Sequence, residues 1–418
     1  MRISTSEFLL GSLNDIMSQE TTVNQLNQEI ASGQTMQSAV DNPAGAGAAL
    51  GIADAIQQLS FDTADAQNGA TSIQTSLDSL QGVGTLLAQV QSAAVQAANG
   101  TMNNADRQAL AGTVQGALQQ LIQLANAQNA DGQYLFGGSK SGAAPFTVQT
   151  NGQIVFDGDA GSNAVAIAPS LSVPVTVSGQ GIFMNVPTGN GSFSVAASGS
   201  NTGGAYVSPG GVTNGSQLLA GHLAGTEFVV SFGAVNPNGG LAYTVTSGAG
   251  GPGTSGFAAT SGIVASGTFT SGSGLDFGGM SVTVTGSPAT GDQFVVATSQ
   301  NTSIFQILQN LATTLTATSG SGTVMQQQLE NILGELGSAQ TNVLSAQATL
   351  GGSLSDIQSV QALNQNASTE EQTQLSTLQS ANLPQVITNY NEGVVALQAA
   401  EEAFARIQNL NLFSIIGG

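Results

Sequence analysis

The chain has 418 residues, which is enough for about two to four domains, and its composition excludes several classes of function. It has 24 acidic and four basic residues and a net charge of -20, so a cationic surface for nucleic acid or for anionic lipid is excluded. It has no cysteine, so disulfides, thiolate nucleophiles and cysteine metal sites are excluded as well.

The first predicted element is an amphipathic helix that ends at Ser32-Gly33. Its apolar stripe contains Leu9, Leu13, Ile16, Val23, Leu26 and Ile30. Several of these residues are seven apart, a spacing that favours a left-handed supercoil with a partner helix. Early acidic residues, Glu7 and Asp15, argue against a cleavable signal peptide, and the absence of a long apolar run argues against a membrane-spanning helix.

A second helical region is predicted to begin at Asn42-Pro43, where asparagine can cap the helix and proline suits its first turn. The pair Asn103-Asn104 predicts a break within this region. The helix that follows is expected to continue toward Asn129 and to end at Asp131-Gly132.

The amino-acid composition changes between residues 137 and 302, where most of the 55 glycines and 10 prolines lie. Short alternating runs separated by turn residues predict antiparallel strands in a sandwich or barrel. The predicted strands are Gln153 to Phe156, Val173 to Val177, Glu227 to Phe232, Tyr243 to Thr246, Ser281 to Thr285 and Gln293 to Ala297. The length of this segment suggests two β modules that divide between Val186 and Val212.

Helix is predicted again from Ser303, which has capping-box spacing to Gln306, and the last helix is predicted to follow Pro384. The stripe of this last helix contains Ile387, Tyr390, Val394, Leu397, Phe404 and Ile407 and is interrupted by Glu401. The stripes of the first and last helices favour one antiparallel pair. Two ordinary core helices in a single globule would give the same periodicity.

Together these elements predict an α+β fold, in which the N- and C-terminal regions form a long helical coiled coil or bundle around a central antiparallel β-rich insert. Three domains are expected: an inner coiled coil of residues 1-40 and 384-418, a helical bundle of residues 41-136 and 303-383, and an outer insert of residues 137-302.

Catalytic motifs are weak in this sequence. His222 is the only histidine, so histidine-based zinc or nucleophile chemistry lacks its second group. The segment Gly137 to Ser141 lacks the glycine before lysine that a phosphate loop needs. The run Asp157 to Gly161 opens like a calcium loop, but Ser162 and Ala168 replace the required glycine and glutamate. We therefore expect no enzyme activity, cofactor or metal.

Several stretches resemble a known family. The segments MRISTSEF, at the start, and SGQTMQSAVDNPAGAGAAL, from residue 32, resemble the bacterial flagellin superfamily. The segment LANAQNADGQYLFGGSKSGAAPFTVQTNGQIVFDGDAG, residues 124-161, the GQGIF at 179-183 and the ending IQNLNLF resemble more narrowly the hook-associated protein 3 family (FlgL). Asn411 replaces the usual serine of that ending, and Pro384 stands where an acidic residue is common.

The resemblance implies a structural protein of the bacterial flagellum, exported by the flagellar type III route to the hook-filament junction. As a ring of subunits it would join the hook, through hook-associated protein 1, to the flagellin filament, and a chaperone would shield its C-terminal helix before export. Neither nucleic acid nor membrane is an expected partner. The expected assembly interface comprises Leu9, Leu13, Ile16, Val23, Leu26, Ile30, Ile387, Val394, Leu397, Phe404, Ile407, Leu410, Leu412 and Phe413.

Two alternatives remain open at this point. The first is a flagellin filament subunit, against which the YLFGG segment and the LNLF ending argue. The second, from a different class, is a surface adhesin that would bind glycans through its β-rich insert.

Overall fold

The computed structural model describes residues 5–35, 42–99, 102–168, 170–223, 226–236, 239–249, 258–317 and 322–416. The fold is α+β, with long helices from both ends of the sequence and antiparallel sheets between them, as predicted. The chain forms two compact units. The first comprises Met1–Ala64 and Val360–Gly418, and the second comprises Asp65–Ser359.

The helices, in chain order, are α1 Thr5–Ser32, α2 Pro43–Ala97, α3 Asn104–Ala125, α4 Gly215–Leu223, α5 Ile304–Thr316, α6 Gly322–Gln379 and α7 Leu383–Ile416. Helices α2 and α6 are long enough that each contributes residues to both units. Among the described residues, no helix combines the length and apolar character needed to cross a membrane.

Local signals in the sequence define several helix ends. Gly33 adopts a φ of 70° immediately after α1, a conformation that favours glycine. Asn42 accepts a hydrogen bond from the backbone N–H of Gly45 at 2.9 Å at the start of α2. Ser303 accepts one from the N–H of Gln306 at 3.0 Å at the start of α5. These predictions are confirmed.

The end of α3 differs from the sequence prediction. The helix stops at Ala125, four residues before Asn129, because Asn126 binds the backbone of a distant residue. Its Oδ1 accepts from the N–H of Phe146 at 3.0 Å, and its Nδ2 donates to the carbonyl of Phe146 at 2.9 Å. The side-chain amide thus pairs with a strand, a non-local contact that helix-end patterns do not reveal.

The strands are β1 Phe146–Val148, β2 Ile154–Phe156, β3 Ala164–Ala168, β4 Leu171–Pro174, β5 Val186–Pro187, β6 Phe193–Ala197, β7 Tyr206–Val212, β8 Glu227–Val235, β9 Leu241–Ala249, β10 Ala258–Thr268, β11 Gly274–Phe277, β12 Met280–Thr285, β13 Gln293–Thr298 and β14 Asn301–Thr302. Strands β1-β2, β3-β4 and β14-β5 form small pairs. The larger sheets have the orders β10-β9-β8-β13-β6 and β11-β12-β7.

The two larger sheets form a sandwich around one core. Along β12 buried and half-buried residues alternate, as the period of two in a strand requires when one face is covered. Strand β13 places Phe294 opposite Val230 of β8 and Ala197 of β6. The core contains Phe193, Val195, Ala205, Val207, Phe228, Val230, Phe232, Val245, Leu275, Phe277, Met280, Val282, Val284, Phe294 and Val296.

An aromatic cluster lies between the first hairpin, a π-helical turn at Gln180–Met184 and α5. The ring of Phe183 lies 5.5 Å from that of Phe136, 5.2 Å from that of Phe146 and 6.0 Å from that of Phe305. All four rings are buried. A Cβ on Gly179 would lie 2.6 Å from the ring of Phe146, so only glycine fits there. The YLFGG and GQGIF segments therefore contribute to one core.

Candidate assembly surface

Helices α1 and α7 pack against each other in the first unit, and backbone hydrogen bonds join the segments that flank them. The N–H of Thr35 donates to the carbonyl of Gln379 at 2.8 Å, and the N–H of Ala381 donates to that of Gly33 at 2.9 Å. These bonds bring the end of α1 to the beginning of α7. The two helices are therefore antiparallel.

Further along the pair, Val23 of α1 meets Gly393 of α7. Gly393 is buried, and a Cβ added to it would lie 3.1 Å from Cγ2 of Val23. Such a contact is tighter than ordinary van der Waals packing, so a glycine at this position lets the two helix backbones approach closely. The sequence stripe did not indicate this role, because a residue without a side chain adds no apolar signal.

The predicted stripe of α1 faces α7 only in part. Ile16, Val23, Leu26 and Ile30 are half-buried, whereas Leu13 keeps 43% of its surface exposed. Leu9 lies in the helix, but its side chain falls outside the described part of the structure. Among the described side chains of this predicted set, none is fully buried within the single chain.

At the beginning of α7, the buried apolar residue lies one position before the residue that the sequence pattern predicted. Val386 is buried, with 6% exposure, while the predicted Ile387 is 45% exposed. Tyr390, Val394, Leu397 and Phe404 are half-buried. The side chains of Ile407, Leu410, Leu412 and Phe413 lie outside the described part of the structure. Which of these residues contact another subunit stays a prediction.

Other large apolar side chains of the same unit are exposed to solvent. They are Leu10, Met17, Leu50, Phe61, Leu363, Leu383 and Val395. Leu50 and Phe61 lie on α2 and Leu363 on α6, outside the two terminal helices in which the sequence predicted the interface. Where such residues lie side by side, exposed apolar surface is typical of a surface that another protein covers.

The two loops that imitate ligand-binding motifs bind each other. Asp159 accepts hydrogen bonds from the N–H of Ser139 at 2.7 Å and of Gly161 at 3.0 Å, and also from the hydroxyl of Ser139. These bonds hold the pKa of Asp159 below its ordinary value. The carboxylate thus fastens the loop of Gly137 to Ser141 to the loop of Asp157 to Gly161, a structural role.

The described residues contain no group of three or more acids or histidines placed to hold a metal ion. His222 lies in α4, but its side chain is outside the described part of the structure. The described geometry therefore adds no catalytic residue to those that the sequence analysis considered.

Comparison with known proteins gives consistent matches. A family model described as the bacterial flagellin N-terminal helical region matches residues 3–141. Flagellar hook-associated protein 3 of Salmonella typhimurium is 34% identical over 155 residues, 36% of this chain and 48% of that protein. The B-type flagellin of Pseudomonas aeruginosa is 29% identical over 151 residues, 35% of this chain and 31% of that protein. The chain thus matches about half or less of the length of these two relatives.

A solved structure gives a longer match. The crystal structure of flagellar hook-associated protein 3 from Legionella pneumophila is 28% identical, with a TM-score of 0.68, and the match covers 78% of this chain and 98% of that one. With its paired terminal helices, helical region and β-rich insert, the chain is similar in fold to this structure, and its N-terminal third matches the flagellin helical region. The chain is similar in sequence and in fold to hook-associated protein 3 (FlgL) proteins, which confirms the resemblance seen in the sequence.

Proposed function

We propose that this protein is a structural subunit of the bacterial flagellum that joins the hook to the flagellin filament. The observation that carries the proposal is the pair of terminal helices, whose apolar stripes are half-buried in one chain and leave Leu13 and Ile387 exposed. Additional subunits would cover this remaining surface and gain about 25 cal/mol for each Å² of apolar area buried. The near-complete match to a hook-associated protein 3 structure supports the same role.

The subunits would assemble side by side into a ring. A contact repeated from head to tail closes into a ring or continues as a helix, according to the rotation that it imposes. One side of this ring would contact hook-associated protein 1 and the other side flagellin. The division into inner, middle and outer domains at residues 1-40 and 384-418, 41-136 and 303-383, and 137-302 stays a prediction of this proposal.

Export and chaperone binding belong to the same proposal. The protein would leave the cell by the flagellar type III route, and a chaperone would cover the apolar stripe of α7, including Val394 and Leu397, before export. The charges of the chain fit a protein that is exported and does not stay at a membrane, because four basic residues against 24 acidic ones leave little attraction to anionic membranes. We propose a structural role without catalysis, since hook-associated protein 3 relatives form part of the flagellum itself.

A flagellin-like filament subunit is the second candidate, and the match to a B-type flagellin supports it. The aromatic cluster argues for the junction protein, because two of its rings, Phe136 and Phe183, come from the YLFGG and GQGIF segments that resemble hook-associated protein 3. The adhesin alternative has no comparable support among the matches.

A strain that lacks the gene tests the proposal. We expect it to build hooks but to release unassembled flagellin into the medium, and we expect the wild-type gene to restore filaments. The measurement is the flagellin content of medium and cell fractions, together with electron microscopy of hooks. Normal filaments in the deletion strain would contradict a junction role, and loss of flagellin itself would indicate a filament subunit.

A further inference from the structure

Helix α6 carries a row of polar side chains toward the β-sandwich. Gln327 binds the backbone of Val207 on β7 through both ends of its amide: the N–H of Val207 donates to Oε1 at 2.7 Å, and Nε2 donates to the carbonyl at 2.9 Å. One turn further on, Nδ2 of Asn331 donates to the carbonyl of Val195 on β6 at 2.6 Å. Residues four apart lie on the same face of a helix, so one face of α6 makes all three bonds.

Strands β6 and β7 are each the last strand of a sheet. Strand β6 ends the five-stranded sheet, and β7 ends the three-stranded sheet. The outer edge of such a strand presents backbone N–H and carbonyl groups that need partners. Gln327 and Asn331 supply partners at both edges, so α6 forms a polar seam that holds the sandwich in place.

Glu335 occupies the next position of this row, four residues after Asn331. It is 9% exposed, and its carboxyl group accepts a hydrogen bond from the backbone N–H of Gly189, in the turn that leads into β6. The backbone of α6 also lies close to this turn, because a Cβ on Gly334 would lie 2.6 Å from the carbonyl oxygen of Gly189. Glu335 is thus the ionisable member of an otherwise neutral seam.

The surroundings of Glu335 offer its charge little compensation. The turn of residues 188–192 and helix α5 contain no charged residue. Arg107 of α3 lines the same cavity of about 760 Å³, but its guanidinium donates to the carbonyl of Met102 at 3.0 Å and to the side chain of Asn104. The nearest acid along α6 is Glu330, and burial raises its pKa as well. Burial raises the pKa of Glu335 to about 7, and the hydrogen bond from Gly189 opposes this shift.

We propose that Glu335 is a protonation-dependent latch: its neutral carboxyl group fits the buried seam, so the turn at Gly189 stays packed against α6, whereas ionisation places a charge away from water there and favours separation of the turn from α6 despite the hydrogen bond from Gly189. An undocked, solvated Glu335 would lose its proton near its ordinary pKa of 4.5, whereas the docked carboxyl keeps it to about 7. Between these values the docked state binds more protons. Docking therefore weakens as the pH rises through this interval and changes little above it.

Hydrogen exchange of the full chain tests the latch. Between pH 5.5 and pH 7.5, after correction for intrinsic exchange rates, we expect protection of residues 188–197 to fall roughly twentyfold, as this proton linkage requires. The Glu335→Gln variant keeps the shape and an acceptor oxygen but cannot ionise, so its protection there is expected to be independent of pH. Glu330→Gln on the same helix is the matched control and should retain the wild-type dependence.

Three results would overturn the latch. One is wild-type protection of residues 188–197 that is equal at the two pH values, a comparison that needs no variant and so does not depend on the folding of Glu335→Gln. The second is an unchanged pH dependence in a folded Glu335→Gln protein. The third is a loss of the pH dependence in Glu330→Gln alone, because Glu330 and not Glu335 would then be the titrating group.

Discussion

Val23 and Gly393 meet across the two terminal helices, where a Cβ on the glycine would lie 3.1 Å from Cγ2 of the valine. Residues 370 positions apart in sequence thus determine how closely α1 and α7 approach. The pairing of the two ends of the chain, on which the proposed function depends, therefore rests on a small residue as well as on the apolar stripes.

The Gly393→Leu substitution should destabilise the α1-α7 pair by about 1–3 kcal/mol, the usual cost of overpacking. Hydrogen exchange of α1 measures this effect. Gly11→Leu is the matched control, since no heavy atom lies within 4 Å of a Cβ at Gly11 and leucine improves helix propensity equally at both positions. Combining Val23→Ala with Gly393→Ala should relieve the contact. Equal effects of the two leucine substitutions would show that the close approach is unimportant.

The Phe183→Ala substitution should lower the free energy of unfolding by about 3–5 kcal/mol, because it removes a fully buried ring that contacts three others. Urea denaturation of the whole chain, followed by circular dichroism, provides the measurement. Phe61→Ala is the control, because that ring is 57% exposed and its loss should change stability little. A similar loss in both variants would contradict the central role of the cluster.

Asp159 should make stability depend on pH in acid. Hydrogen bonds from Ser139 hold the folded-state pKa of Asp159 below its ordinary value of 3.8. Its contribution is therefore complete above about pH 3.8 and is lost as the pH falls through the lowered folded value. Melting temperatures from pH 2.5 to 6 should show a smaller acid decline in Asp159→Asn than in wild type. An identical decline in the two proteins would mean that other carboxyl groups dominate.

Replacing Leu397 and Phe404 together by serine should prevent assembly while leaving the second unit folded. Both residues are half-buried on α7, one heptad apart, and lie in the first unit. Truncation of such contacts should remove about 3–6 kcal/mol per subunit from the assembled structure. Filament counts by electron microscopy and melting of the free subunit measure the two effects. Leu219→Ser, on exposed α4, is the control. Normal filaments in the double variant would contradict the predicted interface.

Much of the fold could be predicted because its signals are local. The cap at Ser303 and the stop at Gly33 depend on neighbouring residues, and a short alternating run of five residues predicted β13 to within one residue. The seam residues Gln327 and Asn331 were not predicted, because their partners lie 120 and 136 residues away. A glutamine or asparagine on a helix has the same local pattern whether it binds water or a strand edge.

The assembly surface was predictable only as a stripe. Helical periodicity identified Val394 and Leu397, but it could not select Val386 over its neighbour Ile387, since either residue fits one edge of an apolar face. Exposed Phe61 and Leu363 were missed because the segments around them are rich in alanine, glutamine and other small or polar residues. Which exposed apolar residues meet another subunit depends on contacts outside the single chain.

Locating the protein on intact flagella tests the central claim most directly. The chain has no cysteine, so a single Thr150→Cys substitution at an exposed position allows selective labelling with maleimide-gold, and cells with the unsubstituted protein provide the background. Electron microscopy should show one narrow band where the hook meets the filament. Label distributed along the filament would contradict the junction role and identify a filament subunit.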